Sequence, residues 1–596
     1  MLEVLAARGG RPASWAGEDA ALGARSTDPG GALAVDEEAR LAVAGEARLD
    51  GLHELRDVLR LEAATTPMQT VLCAYQRWGD RCVERLEGDF AFAIWDAAES
   101  RLVCARDRRG VRQLKYCPFP DGVAFATEVA PLLALPGFER RLDVHRVADL
   151  MMGFVEDQEA TVFRGVRRLP PAHVLTWTRD VVSVRRYWRL DSQRELILPG
   201  DRAYEEAYLE ALRLAVSRRL CGDGPVGAFL SGGLDSSAIV CLAREDAGDH
   251  PARQLHTFSS VFDAVPECDE RRYIRDVLGG GYLEPHEVHS EDLSPLAVAQ
   301  SFATRDDEPF VNPGLPMHAA VYEAARTAGV AHVLDGEGGD DVTSHGLGRL
   351  TELARSGRAI AAVRESHALA ETFATSTSGM LRAWVVNPLL PPQLRSAVRR
   401  ARGRRHPPGA LPVPINPELD RQAGVWERVR DLSLEERVGF PRSAREEQFR
   451  TLDGGQYGEF LGLTDRVAAR LGVEPRYPYH DRELMELGLA LPSRLKLGNG
   501  VTRVIARRAL RGHVPASILD RRDKTSLNPS FARWLRGPDR EVVEAALAEG
   551  APIAEFIDIP AARAQLRRYL ETGNHVDGLA AWTVGAMARW LELRPA

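Results

Sequence analysis

The chain reads as an α/β protein in two parts, a sheet-rich N-terminal domain followed by a parallel α/β domain whose far end is helical. Three observations predict this. Residues 71 to 129 carry short apolar runs broken by Gly, Asp and Pro, as strands and turns do. After a polar stretch at 190–204, strand-like and helix-like segments alternate, which argues for a parallel sheet covered by helices. The 596 residues are also too many for one ordinary core.

The elements follow in order. FAFAIWD, RLVCARD and VAFATEV are the strands of the first domain. LDSQRELILPGDRAY marks the boundary, giving domains of 1–195 and 205–596, and the helical pattern YEEAYLEALRLAVSRRL opens the second. Strand VGAFL, helix SSAIVCLARE, strand LHTFSSVF, helices DERRYIRDVLG and MHAAVYEAARTAG, and strand VAHVLD then alternate. Residues 345 to 470 read as mostly helical, interrupted by RRARGRRHPPGALPVP, an exposed loop. There is no internal repeat.

Composition excludes several classes. A net charge of -8 with 27% charged residues provides no basic face for nucleic acid. No apolar run approaches the roughly 20 residues that span a bilayer, and the first residues do not read as a signal peptide, so a cytoplasmic protein without a membrane partner is expected. Seven scattered cysteines without CxxC pairs suggest neither disulfides nor zinc. Lysine occurs only at Lys115, Lys496 and Lys524 in an arginine-rich chain, which makes each lysine a candidate for a specific role. No lysine follows a glycine, so the GxxxxGK[ST] phosphate loop is absent.

Two loops carry the chemistry. Leu230-Ser231-Gly232-Gly233-Leu234-Asp235-Ser236-Ser237 stands between an apolar strand and a helix, where backbone N–H groups, small hydroxyls and the helix dipole favour pyrophosphate. Asp235 adds a carboxylate of the kind Mg²⁺ takes. Asp335-Gly336-Glu337-Gly338-Gly339-Asp340-Asp341 follows a second strand and offers a hard-metal ligand at Asp340 and a proton acceptor at Glu337. Paired loops at the C-terminal ends of strands in one parallel sheet fall where such folds bind ligands.

SGGLDSS followed by GEGGDD resembles the ATP-pyrophosphatase synthetase domain of the asparagine synthetase family, which adenylates a carboxylate at the expense of ATP. TFSSVF, DEPFVNP, GVEPRYPYHDREL, LPSRLKLGNGVTR and ILDRRDKTSLNPSF resemble it in the same order. The resemblance implies ATP and Mg²⁺, with Leu230, Ser260, Asp335 and Gly336 bordering the nucleotide and Asp235 and Asp340 holding the metal. It places Lys524 over the phosphates, where an ammonium neutralises charge on the departing pyrophosphate. Lys496 has a weaker claim. Glu474 is similar to a carboxylate that serves the general base in β-lactam-forming relatives, which leaves Glu337 and Glu474 as alternative bases.

AYQRWGDRCVERLEGDFAFAIWD, CARDRRGVRQLKYCPF and FATEVAPLLALP are similar to a class II glutamine amidotransferase domain, implying an N-terminal Ntn-type αββα fold. That chemistry uses a cysteine at the mature N-terminus. Residue 2 is Leu2 and the first cysteine is Cys73, so a degenerate domain without glutaminase activity is expected, serving as a scaffold or, alternatively, binding peptide. Arg48 and Asp50, in ARLDG, are candidate remnants of a glutamine pocket.

If glutamine does not supply the amine, the substrate or free ammonia does. The resemblance then implies a lasso-peptide-type macrolactam cyclase acting on a leader-processed precursor peptide, with a leader peptidase and a leader-recognition protein as candidate partners. An ammonia-dependent asparagine-type synthetase is the alternative, followed by a β-lactam synthetase-like enzyme, which the tyrosine those enzymes carry in place of Glu337 weakens, and an inactive peptide-binding homologue.

Overall fold

The computed structural model describes residues 1–26, 31–178, 181–221, 224–248, 255–303, 308–373, 375–401 and 409–593. The core of the exposed loop expected at 399–414 lies outside the described residues.

The N-terminal part is built from strands β1 (Arg11–Ala16), β2 (Ala21–Ser26), β3 (Leu33–Asp36), β4 (Leu41–Asp50), β5 (Glu87–Asp96), β6 (Arg101–Arg106), β7 (Lys115–Phe119), β8 (Gly122–Ala126), β9 (Arg167–Arg168), β10 (His173–Thr178) and β11 (Val181–Arg186). An antiparallel sheet runs β11-β10-β6-β5-β4-β3. Its two faces follow from the period of a strand. Val43, Phe90, Phe92, Ile94 and Val103 pack on the helix Pro67–Trp78, whose start is fixed by reciprocal hydrogen bonds between Thr66 and Gln69. The alternate residues Ala42, Ala44, Ala91, Ala93 and Trp95 face the other way, onto Leu22 of β2 and Tyr116 of β7. The sheet β8-β7-β9 lies on that side, and the helix Ala130–Leu133 packs against β8, completing a helix–sheet–sheet–helix order.

The second part has a parallel sheet of β12 (Val226–Phe229), β13 (Leu255–Val261), β14 (Leu283–His289), β15 (His332–Leu334) and β16 (Glu474–Arg476), in the order β14-β13-β12-β15-β16. The chain moves outward from β12 through β13 to β14, then returns to the other side of β12 to form β15. The strand order therefore reverses between β12 and β15, and the crevice beyond their C-terminal ends is where open parallel sheets bind ligands. Helices dominate residues 345 to 470, as expected.

The two parts are joined through their interiors. The helices Ala130–Leu133 and Val144–Met151 share a core with Trp582 and Trp590 of the terminal helix His575–Leu593. Buried charges also cross the same boundary. Arg168 meets Glu308 at 2.8 Å and Glu459 at 2.7 Å, and Arg112 meets Asp465 at 3.3 Å and Glu474 at 2.8 Å. Burial opposes ionisation of Glu308, but Arg168, Lys115 and Arg466 outweigh it and hold the carboxyl well below the usual range. Arg168→Met leaves two buried carboxylates short of a partner, and the expected loss is about 3–5 kcal/mol in denaturant melts at neutral pH. A depressed carboxyl contributes stability above its unfolded pKa, so the gap between wild type and variant should narrow as pH falls through about 4.

Arg48 and Asp50 belong to this boundary. Arg48 is paired with Asp50 at 2.5 Å and with Asp89 at 2.7 Å, and Asp50 reaches Arg219 of the helix Asp201–Arg219 at 3.2 Å. Their charges are spent on one another and on the neighbouring domain.

Candidate active site

The two glycine-rich loops meet at the reversal of strand order. Leu230 follows β12 and donates its N–H to Phe258 O, Ser260 lies near the end of β13, and Asp335 and Gly336 follow β15. The residues expected around the nucleotide thus line the C-terminal ends of three adjacent strands. Ser231 and Ser236 are tied at 3.0 Å between their hydroxyls, and Gly233 N–H donates to Ser231 Oγ, which sets the SGGLDSS turn at the head of the helix Leu234–Gly248. Gly232 adopts φ +71°, the left-handed region that glycine enters without strain, and its carbonyl accepts from Arg521 at 3.1 Å. Ser260 Oγ accepts from Ser290 Oγ at 2.9 Å.

Close approach of the loops depends on Gly339, in the short helix Gly339–Thr343. A Cβ placed there would stand 2.4 Å from Asp235 Cγ, so any side chain pushes the two carboxylate loops apart. Gly339→Ala is expected to fold, with a circular dichroism spectrum like wild type, and to lose about 10²-fold in turnover, the scale of an ångström-sized misplacement. Turnover near wild type would show that the loops tolerate separation.

The charges at this meeting point are arranged around Asp235 and Asp340. Arg503 Nη1 lies 2.6 Å from Asp235 Oδ2 and 2.6 Å from Asp340 Oδ1, and Lys524 Nζ lies 2.7 Å from Asp340 Oδ2. Burial pushes Asp235 up to about 6, against the pull of Arg503. Burial also acts on Asp340, but Arg503 and Lys524 outweigh it and hold that carboxyl at about 2. Asp235 Oδ1 is buried with no hydrogen-bond partner among the described residues. Two carboxylates that share one cationic nitrogen, with a lone oxygen unused, form a donor set that fits a hard divalent cation such as Mg²⁺.

Glu337 stands beside this pair. Burial, then repulsion from Asp335, pushes its carboxyl up to about 7, and burial pushes Asp335 itself to about 7. His318 Nε2 lies 3.8 Å from Asp335 Oδ2. The loop is braced from the N-terminal domain. Arg109 donates to His480 Nδ1 at 3.2 Å and lies over the ring of Tyr457, whose hydroxyl donates to Asp341.

Glu474 is not brought to this site. It is the first residue of β16, in register with His332 at the start of β15, whereas Asp335 follows Leu334 at the opposite end. Three residues of strand, about 10 Å, separate the two ends. Its carboxyl meets Arg112, Arg476 at 3.2 Å and His332 at 3.1 Å, and although burial opposes its charge these partners hold it well below the usual range. A carboxylate so committed is a poor proton acceptor.

Lys496 is also absent from the site. It is buried, donates to Gln448 and to Leu489 O, and burial lowers its pKa to about 7. The residues missed in the sequence are Arg503, His318 and Arg521. In a chain with this many arginines, no local signal separates Arg503 from its neighbours.

A family model described as asparagine synthase matches residues 207–592, and one described as glutamine amidotransferase domain matches residues 35–188. Asparagine synthetase [glutamine-hydrolyzing] 3 of Bacillus subtilis is 34% identical over 200 residues, 33% of this chain and 32% of that protein, so this match spans about a third of the relative's length. A putative asparagine synthetase [glutamine-hydrolyzing] of Mycobacterium tuberculosis is 27% identical over 564 residues, 90% of this chain and 82% of that one. Among solved structures, the glutamine phosphoribosylpyrophosphate amidotransferase of B. subtilis complexed with ADP and GMP matches with a TM-score of 0.24 at 12% identity, covering 48% of this chain and 76% of that one.

Proposed function

The chain belongs to the asparagine synthase family, and from that premise we propose that it is an ATP-dependent amide-forming enzyme whose substrate carries its own amine. In its specific form the proposal is a macrolactam cyclase. A side-chain carboxylate of an Asp or Glu in a leader-processed peptide attacks the α-phosphorus of ATP and releases pyrophosphate. The peptide's N-terminal amine then attacks the acyl carbon and releases AMP.

The observation that carries this reading is the meeting of two glycine-rich acidic loops at Asp235 and Asp340, joined to an amidotransferase-like domain without an activated thiol among its described cysteines. Cys73, Cys82, Cys104 and Cys117 are all held above the ordinary thiol value by burial, the opposite of what a nucleophilic cysteine requires. The buried ion pairs and the Arg109 brace support a scaffolding role for that domain instead.

The residues divide the work. The SGGLDSS turn, from Ser231 to Ser236, presents N–H and hydroxyl donors to phosphate oxygens. Asp235 and Asp340 would hold Mg²⁺, which when bound would neutralise charge on the departing pyrophosphate. Lys524, paired with Asp340 at 2.7 Å, adds its charge at the same point. Glu337 takes the proton of the attacking amine. A held peptide makes the second step intramolecular, so the amine outcompetes water. Its supply requires a leader peptidase and a leader-recognition protein.

The names of the relatives favour a second reading, an asparagine-type synthetase fed by free ammonia. ATP–pyrophosphate exchange on the purified chain separates the two, with a leaderless peptide bearing an internal Asp or Glu in one arm and aspartate with ammonium in the other. Exchange only with peptide, together with loss of one water from its mass, is expected. Asparagine formation would replace the cyclase with the ammonia-fed enzyme. Glutamine in place of ammonium should be inert in either case.

A further inference from the structure

Arg503 stands where the site's metal would have to bind. Its Nη1 is 2.6 Å from an oxygen of each metal-binding carboxylate, with the side chain only 11% exposed. The residue sits at the N-cap of the helix Val504–Ala509 with φ +55°, a left-handed conformation that non-glycine residues use sparingly, so surrounding structure fixes where its side chain starts. Two further atoms mark the arrangement as incomplete. Arg503 Nε is buried without a hydrogen-bond partner among the described residues, and so is Asp235 Oδ1. The carboxylate oxygen is an acceptor left for a cation, whereas an unpaired Nε is common among the buried arginines of this chain and says less.

We propose that Arg503 is the resident counter-ion of the Asp235–Asp340 pair in the nucleotide-free enzyme, and that it gives up the pair to the divalent cation only when a triphosphate arrives to receive its guanidinium. Metal and ATP therefore enter together, and metal does not bind first. The inference rests on the ATP-dependent reading above.

The charges explain the order. Without a cation, two neighbouring buried carboxylates repel one another, and the guanidinium removes that repulsion. A divalent ion arriving alone must evict Arg503 into a site where Lys524 already holds Asp340 at 2.7 Å, with no phosphate to receive the displaced charge. A triphosphate brings acceptors for Arg503 and Lys524 at the moment the metal takes the aspartates. Arg503 acts on the metal through these two carboxylates, which makes it a positioning residue.

Mn²⁺ binding, followed by electron paramagnetic resonance of the free ion, tests this on the full chain with and without α,β-methylene ATP, which resists cleavage at the reacting bond. Wild type is expected to bind Mn²⁺ about 10-fold or more tightly with the analogue than without it. Arg503→Asn, chosen because asparagine tolerates the left-handed backbone, should bind Mn²⁺ without nucleotide about 10-fold more tightly than wild type and lose most of the coupling. Arg503→Lys, which keeps a cation in place, should retain weak nucleotide-free binding and guards against a misfolded Asn variant. Equal nucleotide-free affinity in wild type and Arg503→Asn, with nucleotide still promoting Mn²⁺ uptake, would overturn the proposal and leave the ATP-dependent reading intact. Failure of wild type to take up Mn²⁺ even with the analogue would overturn that reading and this inference with it.

Discussion

Lys524→Ala is expected to slow adenylate formation by about 10²–10³-fold, the scale of removing one fixed charge from a developing anion. Its side chain is 80% exposed and, among the described residues, its one salt bridge is to Asp340, so the fold does not depend on it. The variant should melt with wild type while ATP–pyrophosphate exchange collapses, and Lys524→Arg should recover part of the rate. The contrast with Lys496 sharpens the test. That lysine is buried in the core, so Lys496→Ala is a stability variant first. Exchange in Lys524→Ala reduced only a few-fold would remove Lys524 from the phosphates.

Glu337→Gln should separate the two halves of the reaction. The amide cannot accept a proton, so amide formation is expected to fall about 10²–10⁴-fold while ATP–pyrophosphate exchange persists. In wild type, burial and Asp335 lift the carboxyl to about 7, so the rate of amide formation should rise with pH through about 7 as the base loses its proton. That rise should be missing from the variant. The linkage has the opposite sign for stability. A carboxyl whose folded pKa is raised destabilises the protein as pH climbs through that value, so Glu337→Gln should gain stability over wild type above pH 7. Loss of exchange together with amide formation would instead assign Glu337 to nucleotide binding.

Much of the architecture was legible because it is local. The alternation of FAFAIWD and RLVCARD appears as β5 and β6, and VGAFL, LHTFSSVF and VAHVLD as the three central strands of the parallel sheet. Strands at the sheet edges were not read. β14 is LEPHEVH, polar and containing Pro285, and β16 has three residues including Pro475. Edge strands carry such residues because one side needs no ladder hydrogen bonds, which erases the apolar pattern that identifies a strand. β1 to β4 were also missed, since small residues such as Ala42, Ala44 and Gly45 leave little hydrophobic contrast.

The sequence by itself singled out the two loops as a candidate site, since Gly-rich turns after apolar strands carry Asp235, Glu337 and Asp340, and their short-range geometry follows from backbone freedom and helix capping. Tertiary structure decided everything that depends on which distant residues meet. It set Glu474 at the wrong end of its strand, spent Arg48 and Asp50 on the domain boundary, buried Lys496, and delivered Arg503 to a carboxylate pair hundreds of residues away in sequence. The reason is the range of the forces involved. Turn and strand preferences are set by a few neighbouring residues, whereas an ion pair depends on where the packed core carries each side chain.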